Sequence, residues 1–91
     1  MLFKWLNKQG VQSEKGFIVQ CVARFEVHYS EGAKVISIYV EPGIYEGNPC
    51  LSIQSDAFSR WMSGEPISTT KQKEIEKNFK DAMKFMGIPI V

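Results

Sequence analysis

The chain has 91 residues and a formal net charge of +1, with 44% apolar, 23% charged and 12% aromatic side chains. This length holds one domain and excludes a two-domain enzyme. The composition is that of a globular protein and excludes a disordered or fibrous chain. The balanced charge provides no global field that would draw the protein to nucleic acid or to anionic lipid.

The chain starts with a short apolar cluster that Lys4 interrupts. This cluster is shorter than the apolar core of about 7–15 residues in a secretory signal. No stretch reaches the roughly 18 apolar residues of a membrane helix, so we expect a cytoplasmic protein. Cys21 and Cys50 have no CxxC partner and no neighbouring histidine. Their isolation predicts two reduced thiols and neither a zinc site nor a redox motif.

Two different periodicities follow one another in the first third of the chain. Apolar residues at helical spacing predict a short helix over residues 2–7, with Gly10 as its stop. From residue 16 the odd positions are apolar or aromatic, and this alternation predicts a strand over residues 16–29. Strands usually have about 5–6 residues, so we expect a bend or bulge near residues 21–24.

Residues 34–41 also alternate, but here the even positions are the apolar ones. A two-residue turn at Glu31 and Gly32 brings both apolar sets to one face and forms a hairpin with the preceding strand. The register that this turn predicts has Val27 opposite Ile36 and Phe25 opposite Ile38 on the buried face, with Arg24 opposite Tyr39 and Glu26 opposite Ser37 on the solvated face.

The middle of the chain combines turn residues with short apolar runs. Two prolines and two glycines between residues 42 and 49 predict an irregular loop. Residues 50–54 then predict a third strand. Apolar residues at helical spacing, between the N-cap candidate Asp56 and Gly64, predict a short helix over residues 56–63.

The last predicted helix covers residues 69–86. Either Ser68 or Thr69 caps it, and with Thr69 the cap includes Gln72 in a capping box. Gly87 ends the helix as a left-handed cap. Its apolar stripe consists of Ile75, Phe79, Ala82, Met83 and Met86.

Together these elements predict an α+β fold. An antiparallel sheet of three to four strands carries the long C-terminal helix on one face, with short helices near residues 2–7 and 56–63. Residues 88–91 add a short edge strand, in which proline is tolerated. The predicted core joins Ile75, Phe79, Ala82 and Met83 of the helix to Phe25, Val27, Ile36 and Ile38 of the sheet.

No residue pattern points to catalysis. His28 is the single histidine, and we place it as a surface imidazole on the polar face of the first strand, two residues from Glu26. Glu41, Glu46 and Asp56 flank turns or helix starts, where acidic residues serve capping and solubility. The sequence therefore predicts a protein that is not an enzyme, with no catalytic residue, no metal ligand and no cofactor.

A row of lysines runs along the last helix, opposite its apolar stripe. Such a row suits a small nucleic-acid-binding module, which is our alternative function. Acidic residues at i, i+4 spacing within the same helix offer another explanation, a solvated face held by ion pairs. We prefer the solvated face. The row consists of Lys73, Lys77, Lys80 and Lys84.

A protein partner is the interaction that the middle of the chain favours. Residues 16–67 carry six acidic and three basic side chains, which suits a basic partner. Tyr and Trp are enriched at the cores of protein interfaces. Trp61 fits the core equally well, because it lies on an apolar stripe. The predicted partner-binding residues are Glu41, Tyr45, Glu46, Arg60 and Trp61.

Several short motifs follow one another along residues 16–88. They are Gly16-Phe17-Ile18-Val19, then Val35-Ile36-Ser37-Ile38 leading to Glu41, then Phe58-Ser59-Arg60-Trp61, then Ile67-Ser68, and a helix with Ile75, Asn78, Ala82, Phe85 and Gly87. In this order and spacing they resemble a family of small bacterial immunity proteins from polymorphic toxin systems, the family numbered seventy-four.

The resemblance implies a non-catalytic protein that binds and neutralises a co-encoded toxin in the cytoplasm. It brings no catalytic residues to this chain and does not identify the toxin. The first fifteen residues and the segment 42–49 lie outside the matched motifs, so the resemblance leaves the partner-specific surface undefined.

Overall fold

The computed structural model describes residues 2–90 of the chain. Its elements are β1 (Phe3–Asn7), β2 (Gly10–Ser13), β3 (Ile18–Ala23), β4 (Glu26–Glu31), β5 (Lys34–Tyr45), β6 (Asn48–Ile53) and α1 (Thr69–Phe85). Each strand pairs antiparallel with its neighbours in the chain, and the six-stranded sheet curls into a half-barrel. The predicted sheet of three to four strands with additional short helices is therefore wrong.

The helix predicted over residues 2–7 is instead the edge strand β1, which pairs with β2. Asn7 closes the turn between them, since its side-chain oxygen accepts a hydrogen bond from the Gln9 N–H at 2.8 Å. Gly10 begins β2 rather than ending a helix. A Cβ at Gly10 would lie 2.0 Å from the side-chain oxygen of Gln20. The few apolar residues in so short a segment fit the helical period as well as the strand period. Backbone pairing with β2 stabilises the strand.

The single strand predicted over residues 16–29 is wrong, because the chain reverses at Arg24 and Phe25 and forms the hairpin β3–β4. A bulge shifts the register between Cys21 and Ala23. The extra residue changes the parity, so the odd positions of both strands face the core and the alternation continues through the hairpin. Phe25 lies in the turn and is 42% exposed, so its predicted place in the core is wrong as well.

The hairpin β4–β5 buries the face that the sequence predicts, but its residues pair with other partners across the two strands. Its turn is formed by Gly32 and Ala33, one residue later than predicted. Gly32 has a φ of +60°, as the first central position of a type II′ turn requires. The pairing shifts by two residues, which preserves the parity and therefore the buried face. The observed pairs are Val27–Ile38 and Tyr29–Ile36 on the core side, and Glu26–Tyr39 and His28–Ser37 on the other side.

The irregular loop predicted over residues 42–49 is wrong, because this segment forms most of the β5–β6 hairpin. β5 continues to Tyr45 and β6 begins at Asn48. Glu46 and Gly47 make the turn with φ values of +50° and +80°, the two positive angles of a type I′ turn. β5 pairs with β4 along its first half and with β6 along its second half, so this hairpin reaches past the start of β4.

The helix predicted over residues 56–63 is also wrong, since the segment folds as successive turns. A β-bridge between Arg60 and Pro66 closes the small loop that lies between these two residues. Phe58 and Trp61 are 3% and 6% exposed. Their helical spacing therefore reflects burial of both rings in the core and not a helix.

The C-terminal helix is confirmed, and α1 ends one residue before its predicted boundary. Ser68 is the N-cap, with its hydroxyl accepting a hydrogen bond from the Lys71 N–H at 3.3 Å. The capping box on Thr69 is wrong, because Gln72 donates its side-chain N–H to the Ile67 carbonyl at 2.7 Å instead.

The end of α1 agrees with its predicted stop signal. Gly87 has a φ of +80°, and the Ile88 N–H donates to a carbonyl of the last turn at 2.9 Å. The chain then runs beside β6, where the Leu51 N–H donates to the Pro89 carbonyl at 2.9 Å. The predicted edge strand is thus present as a short parallel bridge, and Val91 lies outside the described residues.

One hydrophobic core lies between the inner face of the half-barrel, α1 and segment 54–68. The predicted stripe of α1 is buried as expected, except that its last residue, Met86, is half-buried. The core residues are Val11, Phe17, Val19, Val27, Tyr29, Ile36, Ile38, Val40, Phe58, Trp61, Ile67, Ile75, Phe79, Ala82 and Met83.

Candidate partner-binding surface

The second half of the β5–β6 hairpin, residues 41–49, projects large apolar side chains into solvent; we name it the hairpin tip. Ile44 and Tyr45 are 79% and 57% exposed. Strand alternation places Tyr45 on the outer face of the sheet together with Glu41, and Ile44 on the opposite face. The hairpin tip therefore offers an aromatic side chain and an aliphatic one on its two sides.

The hairpin tip also carries two carboxylates, Glu41 and Glu46, and both are exposed. Within residues 2–90, neither carboxylate lies within salt-bridge distance of a basic side chain. The third candidate carboxylate, Asp56, is exposed in a turn of segment 54–68. The hairpin tip thus brings together Glu41, Tyr45 and Glu46, three of the five residues that the sequence predicts for partner binding.

The other two predicted residues, Arg60 and Trp61, belong to segment 54–68. Arg60 is exposed and donates to the Gly64 carbonyl at 3.1 Å. Trp61 is a core residue, and the Lys34 ammonium lies 5.6 Å from its ring centroid. The Met62 N–H donates to the Val35 carbonyl at 2.6 Å. This bond fixes Arg60 and Trp61 beside the first half of β5, while the hairpin tip occupies its second half.

The outer face of the sheet holds a small polar cluster around Glu26. Its carboxylate accepts hydrogen bonds from the Ser37 hydroxyl at 2.6 Å and from the His28 imidazole at 2.9 Å. The hydrogen bond from Ser37 is the main cause that lowers the pKa of the Glu26 carboxyl, and the hydrogen bond from His28 is the second. The predicted neighbourhood of His28 and Glu26 is confirmed. This cluster orients the imidazole on the polar face of the sheet.

A second polar cluster, which the sequence reading missed, ties the sheet to the helix. The Tyr29 hydroxyl donates to Glu31 and accepts from the Asn78 amide at 3.2 Å. Lys71 pairs with Glu31 at 2.8 Å and with Glu74 at 2.6 Å. The bond to Glu31 is the main cause that raises the pKa of the Lys71 ammonium, and the bond to Glu74 is the second. A signal for this cluster was present in the sequence, because Asn78 lies on the otherwise apolar stripe of α1.

The lysine row of α1 is interrupted by ion pairs. Lys77 pairs with Asp81 at 3.0 Å and Lys80 pairs with Glu76 at 3.7 Å, both at i, i+4 spacing. These pairs account for half of the row as an ordinary solvated helix face. Nucleic-acid binding by the row stays a prediction.

Within residues 2–90, no three His, Cys, Asp or Glu side chains are grouped as a metal site. In that same stretch, no helix has the length and apolar character needed to cross a membrane. Neither models of protein families nor curated proteins nor solved structures give a match to this chain.

Proposed function

We propose that this protein is an immunity protein, which binds and neutralises a co-encoded bacterial toxin in the cytoplasm without catalysing a reaction. The observation that carries the proposal is the exposure of Ile44 and Tyr45 at the end of a projecting hairpin. An aromatic anchor on a short turn of fixed geometry loses little conformational entropy on binding. The motifs that resemble the immunity family supply the kind of partner.

The chemistry of the hairpin tip favours a basic surface on the toxin. Tyr45 provides the apolar contact and the hydroxyl, while Glu41 lies two residues away on the same face. Glu46 occupies the turn beside Tyr45. Within the described residues both carboxylates lack a basic partner, so a lysine or arginine of the toxin would pair with them without displacing an internal ion pair.

The remaining predicted contacts take different roles in this proposal. Arg60 is exposed and extends the surface along β5 toward the first half of the strand. Trp61 supports segment 54–68 from the core and does not touch the toxin. Hot spots concentrate at the centre of an interface and tolerate a polar rim, which is the arrangement proposed for Tyr45 and Arg60.

The test replaces Tyr45 by Ala and Glu46 by Asn in one variant. Asn tolerates the positive φ of Glu46, and Asn-Gly is a preferred pair for a type I′ turn, so the hairpin keeps its shape. We expect an almost unchanged thermal midpoint, since both side chains are at the surface. We also expect toxin binding to weaken by about 2 kcal/mol or more. Calorimetric titration with the neighbouring toxin domain and growth during co-expression measure the effect.

A matched control replaces Leu2 and Glu14 by Ala. This pair also consists of an exposed apolar and an acidic side chain, but it lies at the opposite edge of the sheet. The control should protect cells as well as the unchanged protein does. Full protection by the Tyr45 and Glu46 variant would move the interface elsewhere, with the outer face around Glu26 and Tyr39 as the next choice. Failure of the unchanged protein to protect would contradict the immunity function itself.

A further inference from the structure

A groove of about 600 Å³ opens at one end of the half-barrel. It lies between the β1–β2 turn, the β3–β4 turn and the C-terminal end of α1. We call it the end groove and define it by its floor, which consists of Val27, Val40, Leu51, Met83, Met86 and Ile88. Its size falls in the range of about 300–1,000 Å³ that small-molecule sites occupy.

The floor of the end groove is part of the hydrophobic core. Val27, Val40 and Met83 are 2%, 3% and 0% exposed, although all three line the groove. Leu51 and Met86 pack against this core from the side and are half-buried. Because Val27, Val40 and Met83 are already buried, an apolar chain in the groove would cover the parts of Leu51, Met86 and Ile88 that are still exposed to water.

The rim of the end groove is basic. Lys8 and Arg24 line it, and no acidic side chain of the described residues does. Neither cation takes part in an ion pair within residues 2–90. The Arg24 guanidinium lies 5.2 Å from the ring centroid of Phe25, which holds it at the β3–β4 turn. The groove therefore combines an apolar floor with two unneutralised positive charges at its mouth.

The strands beside the end groove leave little backbone for pairing with a peptide. The Cys21 N–H donates to the Gln9 carbonyl at 2.9 Å, and the Leu51 N–H donates to the Pro89 carbonyl at the same distance. Peptides that bind by strand addition need a free row of backbone donors and acceptors. These bonds engage the backbone next to the floor. They therefore favour a ligand that binds through apolar contacts and charge over a peptide that pairs with the backbone.

We propose that the end groove binds a single-chain anionic amphiphile, with its hydrocarbon chain on the apolar floor and its carboxylate between Lys8 and Arg24. Charge complementarity selects this class over neutral and cationic amphiphiles of equal chain length. This site is independent of the proposed toxin-binding surface, since the hairpin tip contributes no residue to it.

The two cysteines make the proposal testable in the intact chain. Both thiols are free and half-buried, but Cys21 lines the end groove and Cys50 does not. Burial raises the pKa of the Cys21 thiol, so all alkylation rates are compared at one pH. Peptide mapping after iodoacetamide treatment follows each thiol separately. The probes are decanoate, decanol and decyltrimethylammonium, each below its micelle concentration.

Decanoate should slow the alkylation of Cys21 several-fold and leave Cys50 unchanged. Decanol and decyltrimethylammonium should protect Cys21 much less at the same concentration. Intrinsic tryptophan fluorescence provides a second titration, because Trp5 lines the groove and Trp61, the other tryptophan, does not. Replacing Lys8 and Arg24 by Gln should weaken decanoate binding by about tenfold or more, because two charge-assisted contacts are lost.

Two further variants separate the site from general charge effects. The pair Lys4→Gln and Lys73→Gln removes the same charge away from the groove and should leave decanoate binding unchanged. Val22→Glu adds a carboxylate at the rim, where the native residue is 46% exposed, and should abolish protection in a folded protein.

Several results would overturn the proposal. Equal protection by all three probes would show an apolar pocket without anion selectivity. Equal protection of Cys21 and Cys50 would show general coating of the protein. Protection by an acidic peptide of alternating Leu and Glu, with none from decanoate, would assign the groove to a protein partner. Protection that rises with protein concentration alone would assign it to a second copy of the chain.

Discussion

At the scale of single residues, Tyr29 connects the sheet to the helix through one hydroxyl. Its ring is fully buried and stacks on Phe17 with the centroids 5.4 Å apart. Its hydroxyl donates to Glu31 and accepts from Asn78. Burial is the main cause that raises the pKa of this hydroxyl, and the bond to Glu31 is the second. The hydroxyl therefore stays protonated and remains a donor. The phenol oxygen thereby satisfies an N–H of the buried Asn78 amide, while its own O–H is satisfied by the Glu31 carboxylate.

Replacing Tyr29 by Phe tests this connection. The substitution leaves the Asn78 amide, 7% exposed, without its acceptor. We expect the free energy of unfolding to fall by about 1–3 kcal/mol, the usual effect of an unsatisfied buried polar group. Urea denaturation measures it, with Tyr39→Phe as the control, because Tyr39 is 64% exposed. Equal stability of the two variants would show that water or Glu31 replaces the lost acceptor.

At the scale of elements, the turns decide which residues meet. The turn at Gly32 was predictable to within one residue, because a glycine between two alternating segments is a strong hairpin signal. The turn at Arg24 and Phe25 carries no such residue, and the bulge next to it keeps the alternation unbroken. One uninterrupted pattern therefore described two strands, and the sequence alone could not separate them.

Gly32→Ala should weaken the β4–β5 hairpin, because an alanine at a φ of +60° is strained. We expect a loss of about 1–2 kcal/mol in the free energy of unfolding. Gly43→Ala in β5 is the matched control, because the backbone there is not in the left-handed region and nothing lies within 4 Å of an added Cβ. The control should stay within about 0.5 kcal/mol of the unchanged protein. Equal losses in both variants would contradict the assigned turn.

At the scale of the whole molecule, three parts close one core: the half-barrel, segment 54–68 and α1. The sequence predicted the buried stripe of α1 and the buried face of β5, because both have a clear period. It could not predict segment 54–68, whose Phe58 and Trp61 are placed by contacts with distant parts of the chain. The sequence indicated the hairpin tip through its acidic and aromatic residues, Glu41, Tyr45 and Glu46. The end groove could not be predicted, because it forms where two turns meet the end of α1. One of these turns, at Arg24 and Phe25, has no signal in the sequence.

Phe79 lies where these three parts meet and is fully buried, with its ring 5.7 Å from that of Phe58. Phe79→Ala should cost about 3–5 kcal/mol, since the cavity lies between elements that cannot collapse onto it. Phe85→Ala is the control, because Phe85 is 44% exposed at the end of the same helix. Chemical denaturation of both variants tests the packing. A loss below about 1 kcal/mol for Phe79→Ala would contradict it.

The match between sheet order and chain order affects how the protein is made on the ribosome. Each strand pairs with the one synthesised just before it, so every hairpin can close soon after its second arm leaves the exit tunnel. The inner face of the half-barrel, however, is covered only by segment 54–68 until α1 has been translated. During that interval the growing chain presents the core residues of four strands, β2 to β5, together, and this is the stage at which a chaperone would be needed most.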